Sequence, residues 1–142
     1  MKAIAVLFFL GMSFAAEPAK HSATYIDHEK VAAEFVKGGT IYGGGANYKV
    51  LASRRDAAGR PEIHAKDADI VYVLEGTATF VTGGTVTGGE NAGPGETRGG
   101  ELHGGESRTI TKGDVIIVPA GTPHWFKAVT AGPVLYYVVK VR

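Results

Sequence analysis

The chain has 142 residues, with 15 Lys and Arg against 14 Asp and Glu, a net charge of +1, and no cysteine. That length holds one hydrophobic core and not two. The lack of cysteine excludes disulfides, thiolate zinc sites, a cysteine nucleophile and a lipidated-cysteine anchor. With no basic stripe beyond Arg54-Arg55, neither a nucleic acid nor an anionic membrane surface is an expected partner.

The chain begins with Met1-Lys2, an apolar run over residues 3–10 and the small-residue stretch Gly11-Met12-Ser13-Phe14-Ala15-Ala16. A basic start, a short apolar core and small residues before a cut are the layout of a secretory signal, with cleavage expected after Ala15. The apolar run is about half of the ~20 residues a membrane-spanning helix needs. Residues 1–15 are therefore read as a signal peptide and the mature chain as periplasmic or secreted. Cleavage would remove Lys2 and no acid, leaving 14 basic and 14 acidic side chains.

Residues 16–39 form an expected leader and helix. Asp27 is placed to cap a helix over 28–37, where Val31, Ala32, Phe35 and Val36 recur at helical spacing before Gly38-Gly39 ends it. Thereafter the periodicity is that of strands, expected at 40–42, 48–55, 62–66, 70–74, 77–82, 108–111, 115–118, 124–129 and 134–141. Short β-rich runs between Gly, Pro and Asp turns make residues 40–142 one all-β domain, a jelly-roll-like β-barrel with a short N-terminal helix. Residues 83–105 hold four Gly-Gly pairs and almost no apolar side chains, so they cannot build core. An elaborated hairpin of tight turns is expected there, with a lid or a subunit contact as alternatives.

Two blocks carry the chemistry. The first runs Pro61-Glu62-Ile63-His64-Ala65-Lys66-Asp67-Ala68-Asp69 and on to Gly76, reading H-x-K-x2-D-x6-G from His64. The second, Gly113 to His124, reads G-x5-P-x-G-x2-H. Together they resemble the two motifs of the cupin family, whose first motif is H-x-H, then a Glu, then x6-G, and whose second often ends H-x3-N. Asp69 stands where that family has Glu, Lys66 where it has the second His, and Ala128 where it often has Asn. The resemblance implies a small single-domain cupin binding one divalent metal ion (Fe, Mn, Ni or Zn) through His64, Asp69 and His124. Such ligand sets leave positions open for water or substrate.

Side chains at i and i+2 of a strand share a face, so Lys66 is expected to point inward with His64. An ammonium ~4 Å from a divalent ion would be repelled by about 8 kcal/mol at an effective dielectric near 20. Three resolutions remain open: a neutral Lys66, a stem turned to the barrel mouth, or a Lys66–Asp69 pair that replaces the metal. Beside a metal, Lys66 would be the catalytic or substrate-anchoring group. Phe126 and Trp125 are candidate pocket walls. Of the adjacent Arg54 and Arg55 only one can face the interior, and Arg55 is taken as the ligand-binding one. His103 could reach the site only if its loop folded over.

No G-x-S-x-G elbow, phosphate loop or recognisable pair of glycosidase carboxylates occurs. The expectations are thus a metal-dependent cupin, whether oxidoreductase, isomerase or lyase, acting on a small oxygen-rich or carboxylate ligand, or a metal-free ligand-binding cupin. Family resemblance and the exposed edges of a jelly roll also suggest a homodimer.

Overall fold

The computed structural model describes residues 22–142; the expected signal peptide and the first part of the leader lie outside these. Helix α1 (His28–Lys37) starts at Asp27, whose carboxylate accepts the Lys30 N–H at 2.9 Å, and stops at Gly38, at φ 75°, whose N–H returns to Glu34 O. It lies on the outside of β1 (Gly39–Tyr42) and β2 (Tyr48–Arg55), with Phe35 edge-on to Tyr137 at 5.1 Å. No helix among the described residues is long and apolar enough to cross a membrane.

Eleven strands follow the helix. After β1 and β2 come β3 (Glu62–His64), β4 (Ala68–Thr82), β5 (Thr85–Thr87), β6 (Glu90–Gly93), β7 (Glu96–Arg98), β8 (Glu101–His103), β9 (Glu106–Thr111), β10 (Val115–Val118) and β11 (His124–Val141). Nine of them make one curled antiparallel sheet in which β11 is the spine, flanked by β2 and β3 on one side and by the whole of β4 on the other. Strands β10 and β9 cover the far edge of β4 in its first and second halves.

Strands expected as four separate pieces are two long ones. The runs 70–74 and 77–82 join in β4, and 124–129 and 134–141 join in β11, because each crosses its weak point as a bend rather than a break. At Gly76, φ is +80°, and a Cβ would meet Pro133 O, Val134 Cα at 2.8 Å and Ala131 O at 2.9 Å. The bend also changes which residues face inward. Asp69, Val71 and Val73 are buried before it, Ala78 and Phe80 after it, so the inward set passes from odd to even numbers, as a bulge requires. Strand β11 keeps its even set inward on both sides of its own irregularity: His124 and Phe126, then Val134, Tyr136 and Val138.

These inward residues form the core, Phe80 meeting Phe126 edge-on (4.7 Å) and Phe126 lying tilted at 31° against Tyr136 (4.8 Å). The outer face of β4 and β10 differs from an ordinary solvated sheet face. Ile70, Tyr72, Val115 and Ile117 are all exposed there and are cross-strand neighbours, Tyr72 opposite Val115 and Ile70 opposite Ile117.

Only glycine fits the Gly76 bend. Gly76→Ala is expected to lower the unfolding free energy by roughly 2–3 kcal/mol, from left-handed strain and backbone overlap, read from the midpoint of urea denaturation; an unchanged midpoint would mean the bend is not needed.

Candidate functional site

The site is a set of cross-strand neighbours. Register places Glu62 of β3 opposite His124 of β11 and opposite Arg98 of β7, His64 opposite Glu96 of β7, and Asp69 of β4 opposite Lys140 of β11. His64, Asp69 and His124 are buried polar residues facing the barrel interior. Glu62, two residues before His64, shares its face.

The four inward groups converge through their side-chain tips. His64 Nε2 lies 3.4 Å from Asp69 Oδ2 and 3.6 Å from Glu62 Oε2, and His124 Nε2 lies 3.9 Å from Asp69 Oδ2. One ligand atom each of Glu62, His64 and His124 fall within 4.8 Å of one another. The outer atoms are held from behind. His124 Nδ1 donates to the Thr122 carbonyl at 3.1 Å, and His64 Nδ1 bonds the Glu96 carboxylate. A partner on Nδ1 sets the tautomer that leaves Nε2 as the free donor atom, the usual arrangement behind metal-binding histidines. Glu62 Oε1 accepts from Arg55 Nη2 (3.2 Å), and Asp69 Oδ1 from Lys140 Nζ (2.6 Å), which leaves Oε2 and Oδ2 aimed between the imidazoles. Two imidazole nitrogens and the Glu62 carboxylate form a set of the type that holds a divalent cation, and Asp69 Oδ2 adjoins both imidazoles beside it.

The electrostatics follow from this crowding. Burial works against a charged His64, and Lys140 adds to that, but the Asp69 and Glu96 carboxylates outweigh both and raise its pKa. His124 is pushed below the ordinary imidazole value chiefly by burial. Burial alone would raise the Asp69 carboxyl; its hydrogen bonds to His64 and Lys140 prevail and hold it below the usual 3.8. Tyr136 is raised, mainly by burial, so its hydroxyl stays a donor at neutral pH.

These groups open on a cavity of about 160 Å³. Its polar wall is Arg55, Arg98, Lys140 and Tyr136, and its apolar wall is Leu51, Val71, Phe80, Phe126 and Val138. Arg55 faces in while Arg54 turns out to Asp56, and the Arg55 guanidinium sits 4.7 Å from the centre of the Phe126 ring. Trp125 borders the cavity and ties down the connection between β2 and β3 by donating its Nε1–H to Gly59 O at 2.9 Å.

Lys66 is the principal correction. Strand β3 ends at His64, so residues 65 and 66 lie in a bend, and Lys66 is exposed, its stem nearest Gly95. It is neither beside the imidazoles nor paired with Asp69; the cation on Asp69 is Lys140. The inward i, i+2 pair is Glu62 and His64, and the pattern reads E-x-H-x4-D-x6-G from Glu62 to Gly76. Sequence reasoning missed Glu62 by applying the two-residue period only downstream of His64. Lys140 was equally legible, as the next even position after Tyr136 and Val138. Glu96 carried no such signal. His103 is exposed on β8 and bonds Thr87 Oγ1 instead of approaching the site.

The family described as Cupin matches residues 20–141. No curated protein matches the sequence. Among solved structures, a protein from Bacillus halodurans superposes with a TM-score of 0.59 at 17% identity, over 84% of this chain and 81% of its own. Streptomyces Pac13, described as a nucleoside dehydratase and also solved with uridine, gives 0.52 at 10% identity, over 73% and 67%. A cupin 2 conserved barrel domain protein from Rhodopseudomonas palustris gives 0.51 at 16%, over 73% and 59%. At such identities the likeness is one of fold.

Removing the Asp69 charge leaves the largely covered Lys140 ammonium, 13% exposed, without its partner. Asp69→Asn is expected to cost about 3 kcal/mol at pH 7. Because the folded-state pKa of Asp69 lies below its unfolded value, its contribution is complete above that unfolded value and is lost as pH falls through the folded one. The gap in stability between wild type and Asp69→Asn should therefore close as the pH is lowered past 3.8, in urea melts at stepped pH. A gap independent of pH would show that the Lys140 pair does not stabilise the fold.

Proposed function

Since the chain belongs to the cupin family, we propose that it is an exported small cupin that holds one divalent metal ion in the barrel and binds or transforms a small oxygen-rich or carboxylate ligand beside it. The ligands are Glu62, His64, Asp69 and His124. The observation that carries this reading is that both histidines present Nε2 to a common point while carboxylate or carbonyl partners hold both Nδ1 atoms. When bound, the ion would supply Lewis acidity to an oxygen of the ligand. The protein would orient that ligand with Arg55 and Tyr136, seat its apolar part on Phe80 and Phe126, and exclude bulk water by the small size of the cavity.

Reaction class follows from the substrate, and cupin-fold neighbours do not fix it. The Streptomyces neighbour solved with uridine supports a small-molecule partner of some kind. The metal-free reading, a ligand-binding cupin with an ion pair in place of the metal, draws support from the Lys140–Asp69 bond at 2.6 Å. That pair spends only Oδ1, however, and leaves Oδ2 toward the imidazoles.

A homodimer belongs to the same proposal, with a second copy on the outer face of β4 and β10. Ile70, Tyr72, Val115 and Ile117 form one exposed apolar cluster there, and two such faces packed about a twofold axis are self-complementary and bury all four on both chains.

Metal content of the mature protein, purified without chelator and after exposure to Fe(II), Mn(II), Ni(II) and Zn(II), should approach one ion per chain by elemental mass spectrometry. His64→Ala and His124→Ala should each abolish retention, Glu62→Ala should weaken it by about 10- to 100-fold, and Lys66→Ala should leave it unchanged. Wild-type protein that takes up none of the four ions would sink the metal reading in favour of the metal-free one. Ile117→Lys is expected to shift sedimentation from dimer to monomer with metal content intact; a wild-type monomer would refute the pairing.

A further inference from the structure

Resting on the metal reading above, we infer that Arg55, supported by Tyr136, is a carboxylate-binding group, and that this cavity binds its metal and an organic carboxylate with mutual reinforcement. The argument begins from a row of charges of alternating sign. Arg55 Nη2 lies 3.2 Å from Glu62 Oε1, Glu62 Oε2 3.6 Å from His64 Nε2, His64 Nε2 3.4 Å from Asp69 Oδ2, and Asp69 Oδ1 2.6 Å from Lys140 Nζ. Cations thus stand at both ends, carboxylates inside them, and the ligand point at the centre. Arg98 Nη2 adds a further cation 3.5 Å from Glu62 Oε2.

In this row the two carboxylates are shared. A divalent ion at the centre draws their charge inward and neutralises them, and the cations that now balance them lose counter-charge in a partly desolvated place. Lys140 is held at 2.6 Å on Asp69 with only 13% of its side chain exposed, whereas Arg55, 24% exposed and stacked on Phe126, has the looser pair with Glu62 at 3.2 Å and is the cation placed to take up another anion. A guanidinium has five N–H donors. Arg55 spends one on Glu62 and one, from Nε at 3.0 Å, on the Tyr136 hydroxyl, so donors remain for a planar two-oxygen acceptor. The Gly59 backbone packs close against the guanidinium, where a Cβ would collide with Nη1, and so fixes its position. A carboxylate fits this fork in shape and sign, and Leu51, Val71 and Val138, which also line the cavity, suit a short apolar substituent.

Binding free energies are reciprocal: if the metal creates demand for an anion, the anion must tighten the metal. Isothermal titration calorimetry of wild-type protein with Mn(II) and, in parallel, Zn(II), at fixed ionic strength, compares propionate with its neutral isostere propionamide. Propionate is expected to tighten at least one ion about fivefold or more, and propionamide to do nothing. In Arg55→Gln the ratio of metal affinities with and without propionate should fall to one, whatever that variant's affinity for metal alone, and Arg55→Lys should recover part of it. Metal uptake that ignores propionate, responds equally to propionamide, or keeps its ratio in Arg55→Gln would overturn this inference and leave the metal reading standing. Failure of Mn(II) and Zn(II), and of Fe(II) and Ni(II) titrated in the same way, to bind in any condition would remove the metal reading and this inference with it.

Discussion

The site depends above all on the antiparallel register of β11 with β3 and β4. Because opposite residues in such a ladder lie within about 5.5 Å, register alone decides which charges meet. It sets Asp69 against Lys140 and Glu62 against His124, and one further pairing, β3 with β7, sets His64 against Glu96. A slip of one residue would turn every one of these side chains to the opposite face. The apolar core prevents that slip. Phe80 opposite Phe126, Val73 opposite Tyr136 and Val71 opposite Val138 lie in the same β4–β11 ladder as the Asp69–Lys140 pair, so moving the charges would also expose the core.

The same ladder explains why so many ionic groups are tolerated inside a small barrel. Isolated buried charges are costly, and an ion pair in a low-dielectric interior only about breaks even against apolar substitutes. Here no buried side-chain nitrogen or oxygen among the described residues lacks a hydrogen-bond partner. Asp69 gives Oδ1 to Lys140 and turns Oδ2 to the centre, while Glu62 meets Arg55 through Oε1 and turns Oε2 toward His64 and Arg98. This division is wasteful for stability alone, since an apolar barrel floor would serve as well. It is economical for a site that must hold two carboxylates close together without letting them repel the fold apart.

Much of this was legible in the sequence, and the rest failed for identifiable reasons. Asp27, the 3.6-residue spacing and Gly38 locate the helix, and the alternation from Tyr48 onward marks the strands. The paired motifs single out His64, Asp69 and His124, which the fold brings together. What misled was parity. Counting forward from His64 makes Lys66 an inward residue, but the strand ends at His64 and the chain turns before Asp69 re-enters the sheet. Counting backward would have found Glu62, and counting along β11 would have found Lys140. The bend at Gly76, which switches the inward set of β4 from odd to even, could not be located from alternation, because hydrophobic residues occur in both sets around it.

The Gly-rich segment 83–105 shows most clearly how a stretch without core residues still serves a site. Glycines at positive φ, among them Gly84, Gly88, Gly100 and Gly105, let the chain fold back repeatedly, giving a β5–β8 ribbon and a β6–β7 hairpin from sequence too polar to be buried. Neither piece could hold a position by packing. Instead β7 is fixed by its backbone pairing with β3, and the Ala65 N–H bond to Gly95 O (2.8 Å) closes that pairing at the hairpin turn. The hairpin thereby delivers Glu96 to His64 and Arg98 to Glu62, supplying partners for two side chains of the candidate site from a segment that lines its centre with none of its own. An elaborated hairpin accounts for its structure, but its effect on chemistry runs through those two side chains, so its sequence is constrained at Glu96 and Arg98 and, at the turns, by backbone geometry rather than by side-chain identity.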